Sequence, residues 1–208
     1  MAYFRNFVLV GMFFCVGGCT NGPAPPALDP PSVTAAAMKQ LDKDGDGRLF
    51  ITEYAESPPL VVALPRIDRD GNDVITREEL EARIDYYINA PAAVVSGSVE
   101  VKLDGRLVDG ATVTFIPEPF LGDVIKTTSG ITDASGVAYL AGQDNEFPGL
   151  YLGLYRVTIS KMKDGKETID EKFNTKSELA YEVCTDLEYV SNVIQFAVTS
   201  AVEEESDR

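Results

Sequence analysis

The sequence predicts a multidomain α + β protein, in which a small helical module is followed by an all-β antiparallel sandwich of about seven strands. Three observations carry this. Residues 33–90 hold helix-forming segments around two acidic, turn-rich dodecapeptides; beyond Pro91 the pattern changes to alternating apolar and polar residues; and residues 21–32 place five prolines and one glycine ahead of both. The 208 residues and 45% hydrophobic content suit one or two domains with a real core.

Charge narrows the function. Eighteen Lys and Arg against 33 Asp and Glu give a formal −15, which argues against nucleic acid or anionic headgroups as partners and makes soluble cations the natural ones. The chain has no histidine, hence neither the commonest general base nor the commonest zinc ligand. Carboxylate chemistry survives in principle, but no signature selects a pair of acids from so many. The expectation is a protein that is not an enzyme.

The first element in chain order is MAYFRNFVLVGMFFCVGGCT: one cation at Arg5, an apolar run from Phe7 to Val16, then small residues before Cys19. This is the order of a secretory signal over residues 1–18, and the run is too short for a permanent membrane helix. Val16-Gly17-Gly18-Cys19 resembles the lipobox of bacterial lipoproteins. The resemblance implies cleavage before Cys19, lipid on that cysteine, transport across the inner membrane, and anchoring in the cell envelope on the periplasmic or outer surface. The plainer alternative is an ordinary signal peptide with Cys19 an incidental thiol. Two or more acyl chains hold a protein on a membrane where one does not.

Loss of residues 1–18 removes Arg5 and no acid, leaving a formal −16. It also removes Cys15. With Cys19 lipidated, Cys184 is alone, so no intramolecular disulfide is available. Nothing in its sequence neighbourhood lowers its pKa, and it reads as a packed small hydrophobe. Residues 19–32 read as a proline-rich tether through which neither helix nor sheet propagates, rising about 3 Å per residue if extended.

Within residues 33–90, VTAAAMKQL has the propensity for a first helix. DKDGDGRLFITE, residues 42–53, then meets the demands of a calcium loop, which needs oxygen ligands at positions 1, 3, 5, 7, 9 and 12 and a glycine at 6. Asp42, Asp44, Asp46, Gly47 and Glu53 fill positions 1, 3, 5, 6 and 12, and Arg48 at 7 contributes a backbone carbonyl. Phe50 at position 9 has no side-chain oxygen and leaves that place to water.

The pattern recurs 26 residues on. DRDGNDVITREE puts Asp68, Asp70, Asn72 and Glu79 at positions 1, 3, 5 and 12, with the Val74 carbonyl at 7 and Asp73 where glycine is usual. Position 6 needs positive φ, which Asp tolerates less well than Gly, and the second loop has three carboxylates against four. The first loop is therefore expected to bind calcium more tightly. Thr76 and Glu79 form a capping box that opens the helix EELEARIDYYI. The alternative for either loop is a plain acidic turn, since Asp and Gly favour turns on their own account.

Taken together, residues 33–90 resemble the EF-hand family, and the resemblance implies two loops back to back with Leu49 and Ile75 in a short β contact. Residues 54–67, interrupted by Pro58, Pro59 and Pro65, leave room only for short helices, so a compact pair is expected. Calcium sensors open long helices over a Met-rich groove; here Met38 is the only methionine of the segment. The site is expected to be structural.

From Ser96 onward, strands are expected with Val99, Val101 and Leu103 on one face, Val113 and Phe115 inward, then Val137 and Tyr139, Tyr155, Val157 and Ile159, Leu179, Tyr181 and Val183, and Ile194, Phe196 and Val198. Short strands, polar turns and no long helix argue a sandwich. The phrases VSGSV, LDGRLVDGATVTF, GITDASGVAYL and GLYRVTISK resemble carboxypeptidase regulatory-like (transthyretin-like) domains over residues 95–199, a family whose name implies no peptidase activity. Another immunoglobulin-like topology is the alternative. Residues 200–208 read as an acidic, solvated tail.

The leading functional expectation is a calcium-binding envelope lipoprotein. The alternative is a carbohydrate- or peptide-binding accessory module, weakly favoured because there is no tryptophan and the strand tyrosines fall mostly inward. A carboxylate-type enzyme comes third. No sequence feature names a protein or glycan partner.

Overall fold

A computed structural model of the chain describes residues 23–95, 97–141, 149–187 and 193–201. The signal peptide, Cys19 and residues 202–208 of the acidic tail lie outside them. The protein mixes helices with predominantly antiparallel sheets, and its helices are concentrated before residue 90. Among the described residues no helix is long and apolar enough to cross a membrane.

The first helix, α1 (Pro30–Leu41), starts inside the segment read as tether. The reason is local: Asp29 caps the helix by accepting from Ser32 N at 3.2 Å, and prolines fit a first turn, where their missing N–H groups would have had no partner. Leu28, just before, is already buried. Val33, Ala37, Met38 and Leu41 recur at helical spacing and face the core.

Between the two loops lie α2 (Ile51–Tyr54) and α3 (Pro58–Ile67), both short, as the prolines require. Pro58 and Pro59 occupy the first turn of α3; Pro65 lies inside it. After the second loop comes α4 (Arg77–Asn89), opened by the Thr76–Glu79 capping box and burying Leu80, Arg83, Ile84 and Tyr87. Two two-residue strands, β1 (Arg48–Leu49) and β2 (Ile75–Thr76), pair antiparallel with Leu49 opposite Ile75, and both of these side chains are fully buried.

In the strand half, β3 is Val94–Val95, β4 Ser98–Leu103, β5 Arg106–Leu107, β6 Thr112–Pro117, β7 Thr128–Ile131 and β8 Val137–Tyr139. Then come β9 (Leu150–Tyr151), β10 (Gly153–Ser160), β11 (Met162–Lys163), β12 (Lys166–Glu167), β13 (Ala180–Val183) and β14 (Ile194–Val198). One four-stranded sheet runs β13–β10–β6–β7, antiparallel throughout. A second runs β14–β4–β5, with β8 also paired to β4. Phe115 of the first sheet meets Phe196 of the second edge-on, with ring centroids 6.3 Å apart.

One pair departs from the antiparallel expectation: β14 runs parallel to β4, with Ile194 opposite Val99 and Val198 opposite Leu103. The chain leaves β13 in one sheet and crosses to the other before β14, and such a crossover is how two strands come to point the same way. A second correction concerns β8, where Ala138 and Leu140 are buried while Tyr139 is 73% exposed, so the inward face is the one opposite to Val137 and Tyr139. Alternation fixes that two faces exist; which is inner depends on the neighbouring sheet. The sets of β4, β6 and β10 hold, with Val99, Val101, Val113, Phe115, Tyr155, Val157 and Ile159 buried, whereas in β13 Tyr181 is half-buried and Glu182, on the opposite face, is buried as deeply as Val183.

Buried residues from α1 through β14 form one cluster, so helical and strand halves share a core. Contacts of α3 with β13 and β10, and of α1 with the 3-10 segment Pro119–Val124, make the junction.

Candidate metal centre

Each dodecapeptide closes on itself through its first acid. Asp42 accepts from Gly45 N at 2.7 Å and Gly47 N at 3.0 Å; Asp68, 26 residues later, accepts from Gly71 N and Asp73 N, both at 2.8 Å. The third acidic position repeats as well: Asp46 accepts from Arg48 N and Asn72 Oδ1 from Val74 N, both at 2.8 Å. Glutamates finish the pattern. Glu53 accepts from Lys43 N at 2.9 Å and Phe50 N at 3.0 Å, and Glu79 from Arg69 N at 2.9 Å and Thr76 N at 3.0 Å.

The two loops thus share one framework of backbone-to-carboxylate bonds, to which the second adds bonds from Asn72 and from the Thr76 hydroxyl. Positive φ occurs at the same places, Gly45 (76°) and Gly71 (72°), then Gly47 (81°) and Asp73 (60°). Asp73 takes the left-handed conformation that its position demands, at a cost that glycine would not bear.

Carboxylate oxygens converge in both loops. One oxygen from each of Asp42, Asp44 and Asp46 lies within 4.8 Å of the others, and the same holds for Asp68, Asp70 and Glu79. Oxygens on a common calcium ion at 2.3–2.6 Å stand up to roughly 5 Å apart, so the spacing and the all-oxygen donor set fit a hard divalent cation. Of the residues expected to ligate, Glu53 is not in the first group; it is buried against the Lys43 and Phe50 amides. Asn72 lies beside Asp70, donating Nδ2–H to its Oδ2 at 2.8 Å. Arg48 opens β1, and Val74 immediately precedes β2.

The electrostatics favour ionised acids. Amide donation from Phe50, then from Lys43, holds Glu53 below the ordinary carboxylate range. Burial opposes ionisation of Asp68 and Glu79, but donors outweigh it: the Asp73, Gly71 and Asn72 amides at Asp68, and the Thr76 hydroxyl and amide at Glu79. Phe50 is 39% exposed at the rim of the first loop, where water can reach position 9.

Several residues at the junction were not singled out from sequence. Tyr54 is buried and donates to the Asp73 carbonyl at 3.3 Å, tying the exit of the first loop to the second. Glu182 of β13, fully buried, accepts from Arg83 Nε and Tyr87 Oη, each at 2.6 Å, and from Arg66 Nε. Arg83 also forms a two-pronged pair with Asp186, at 2.6 and 3.0 Å, and stacks over Tyr86 at 4.4 Å. The one sequence signal was Arg83 itself, a charged residue on the helix face of Leu80, Ile84 and Tyr87. A glutamate between Tyr181 and Val183 gave none.

Cys184 is 3% exposed, and burial, followed by the Glu182 charge, pushes its thiol up to about 12 although Arg66 and Arg83 are near enough to oppose this. It is buried, as expected, but it does have basic neighbours. Compared with known proteins, the chain matches no family model and no curated protein.

Proposed function

We propose that the protein is a non-enzymatic, calcium-binding lipoprotein of the cell envelope, in which calcium stabilises a compact EF-hand pair beside a transthyretin-like sandwich. The observation that carries the reading is the repeat of one hydrogen-bond scheme in two dodecapeptides, each gathering three carboxylate oxygens within 4.8 Å. Asp42, Asp44, Asp46 and Glu53 would hold the first ion with the Arg48 carbonyl, and Asp68, Asp70, Asn72 and Glu79 the second with the Val74 carbonyl. Calcium supplies only charge and coordination here, drawing together the ends of neighbouring helices.

A structural role is supported by the short α2 and α3 and by the shared core, which leave little freedom for a sensor's opening. The two four-stranded sheets meeting at Phe115 and Phe196 support the sandwich reading. Membrane attachment rests on the lipobox-like Val16–Cys19 alone.

Isothermal titration of the purified chain tests the proposal. Calcium should bind at one site or more, and Asp42→Ala with Glu53→Ala should abolish the tighter one. No heat and no melting shift at millimolar calcium would overturn it. Labelling of the wild type but not of Cys19→Ala with a fatty-acid analogue tests the anchor.

A further inference from the structure

The second loop and the buried carboxylate of Glu182 share the same two helices. Asp68, the first ligand position, is the C-cap of α3, and Arg66 stands two residues before it. Glu79, the last ligand position, lies in the first turn of α4, and Arg83 and Tyr87 follow at four-residue steps on the same helix face. Arg66 Nε reaches one oxygen of Glu182, while Arg83 Nε and Tyr87 Oη reach the other. Two helices are therefore fastened to each other twice: at the loop, where Glu79 of α4 accepts from the amide of Arg69, next to the α3 cap Asp68, at 2.9 Å, and farther along, through one strand residue.

We propose that Glu182 is a positioning residue for the second cation site, holding α3 and α4 at the angle in which Asp68, Asp70 and Glu79 converge. This rests on the calcium reading above and goes beyond it by coupling that site to the sheet. Coupling of this kind is reciprocal. A cation at the loop favours the helix angle that lets both arginines reach Glu182, and Glu182 in turn favours the angle that presents the ligands. Charge balance keeps the device in place, since Arg66 and Arg83 face Glu182 and Asp186. Among the described residues, neither α1 nor α2, which flank the first loop, carries a residue bonded to Glu182.

The test is calcium titration of the full chain in an Asp42→Asn, Glu53→Gln background that isolates the second loop. Glu182→Gln keeps the shape of the side chain and removes its charge; it should weaken calcium binding about tenfold. Val101→Ala, in the distant strand β4, supplies a comparable loss of thermal stability without touching α3 or α4, and should leave the dissociation constant unchanged. If Glu182→Gln does not fold, Arg66→Gln, at the partly exposed end of the cluster, replaces it with the same expectation at smaller amplitude. An unchanged dissociation constant in a folded Glu182 or Arg66 variant, or an equal weakening in Val101→Ala, overturns the coupling. Absence of binding in the unmutated chain instead overturns the calcium reading, and the coupling with it.

Discussion

Glu118 shows what a single side chain can contribute against the fold. It is 3% exposed, and its nearest cation, Arg156, stands with Nη2 3.9 Å away while donating elsewhere, from Nη1 to the Ser177 carbonyl and from Nη2 to the Glu56 carbonyl. Burial raises its pKa above the ordinary 4.5, with Arg156 offsetting part of the rise. An acid whose folded pKa is raised stabilises the fold fully only below its unfolded value, and that contribution is lost as pH climbs above 4.5. Glu118→Gln should therefore melt higher than the wild type at pH 7, and the difference should vanish below about pH 4. Melting curves across that range decide it. Nothing around Glu118 in sequence, IPEPF, betrayed its burial, because burial there is set by the helical half docking from more than fifty residues upstream.

The loops are the contrasting case, legible because their chemistry is local. A calcium loop needs particular residues at particular offsets within one dodecapeptide, and Asp73 could be assigned positive φ from its place in that count alone. Glu182 was illegible for the opposite reason. Its partners, Arg66, Arg83 and Tyr87, come from two helices about a hundred residues away, and no local pattern encodes such a meeting.

At the scale of elements, the two-residue pairing of β1 with β2 does work out of proportion to its length. Leu49 and Ile75 sit side by side, fully buried, with α1 and α2 against β1 and α4 against β2, so each loop's eighth position is core for both loops. Ile75→Ala should cost about 2–5 kcal/mol, the range for large-to-small substitutions in cores. The corresponding fall in melting temperature is roughly 4–20 °C for a chain of this size. Titration of the same variant should show calcium binding weakened at both proposed sites, the distant one included.

Elements whose limits are written in capping chemistry were readable: α4 begins where Thr76 and Glu79 put it. The hairpins were read less well. Asp104-Gly105 and Asp164-Gly165 each have two successive positive φ values, (51°, 79°) and (52°, 79°), and join β4 to β5 and β11 to β12 through two-residue turns. Asp-Gly between alternating residues is the signal for such a turn, and it is a more local one than the strand alternation around it. The start of α1 lies inside the proline-rich segment because prolines that follow a capping Asp29 start a helix rather than break it.

For the whole molecule, the proposed cation binding would form one equilibrium with folding. A ligand that binds only the folded chain stabilises it by about 2.7 kcal/mol at a hundredfold excess over its dissociation constant. Saturating calcium should therefore raise the melting temperature by roughly 5–10 °C, and a chelator should reverse the rise. Differential scanning calorimetry with and without calcium measures this directly. A shared core predicts a single transition in both conditions, since helices and sheets bury their apolar residues in one cluster.

The parallel seat of β14 beside β4 has a consequence for how the chain is made. Val99 is synthesised about 95 residues before Ile194, yet they are neighbours in the sheet. Until β14 emerges, one flank of β4 offers bare amides and carbonyls to any extended peptide nearby. The helical module, complete by residue 90 and built from near-neighbour contacts, can form long before that moment. Growth from the N-terminus would thus yield a finished helical half waiting on an unfinished sheet, and during that interval the bare flank of β4 is open to self-association.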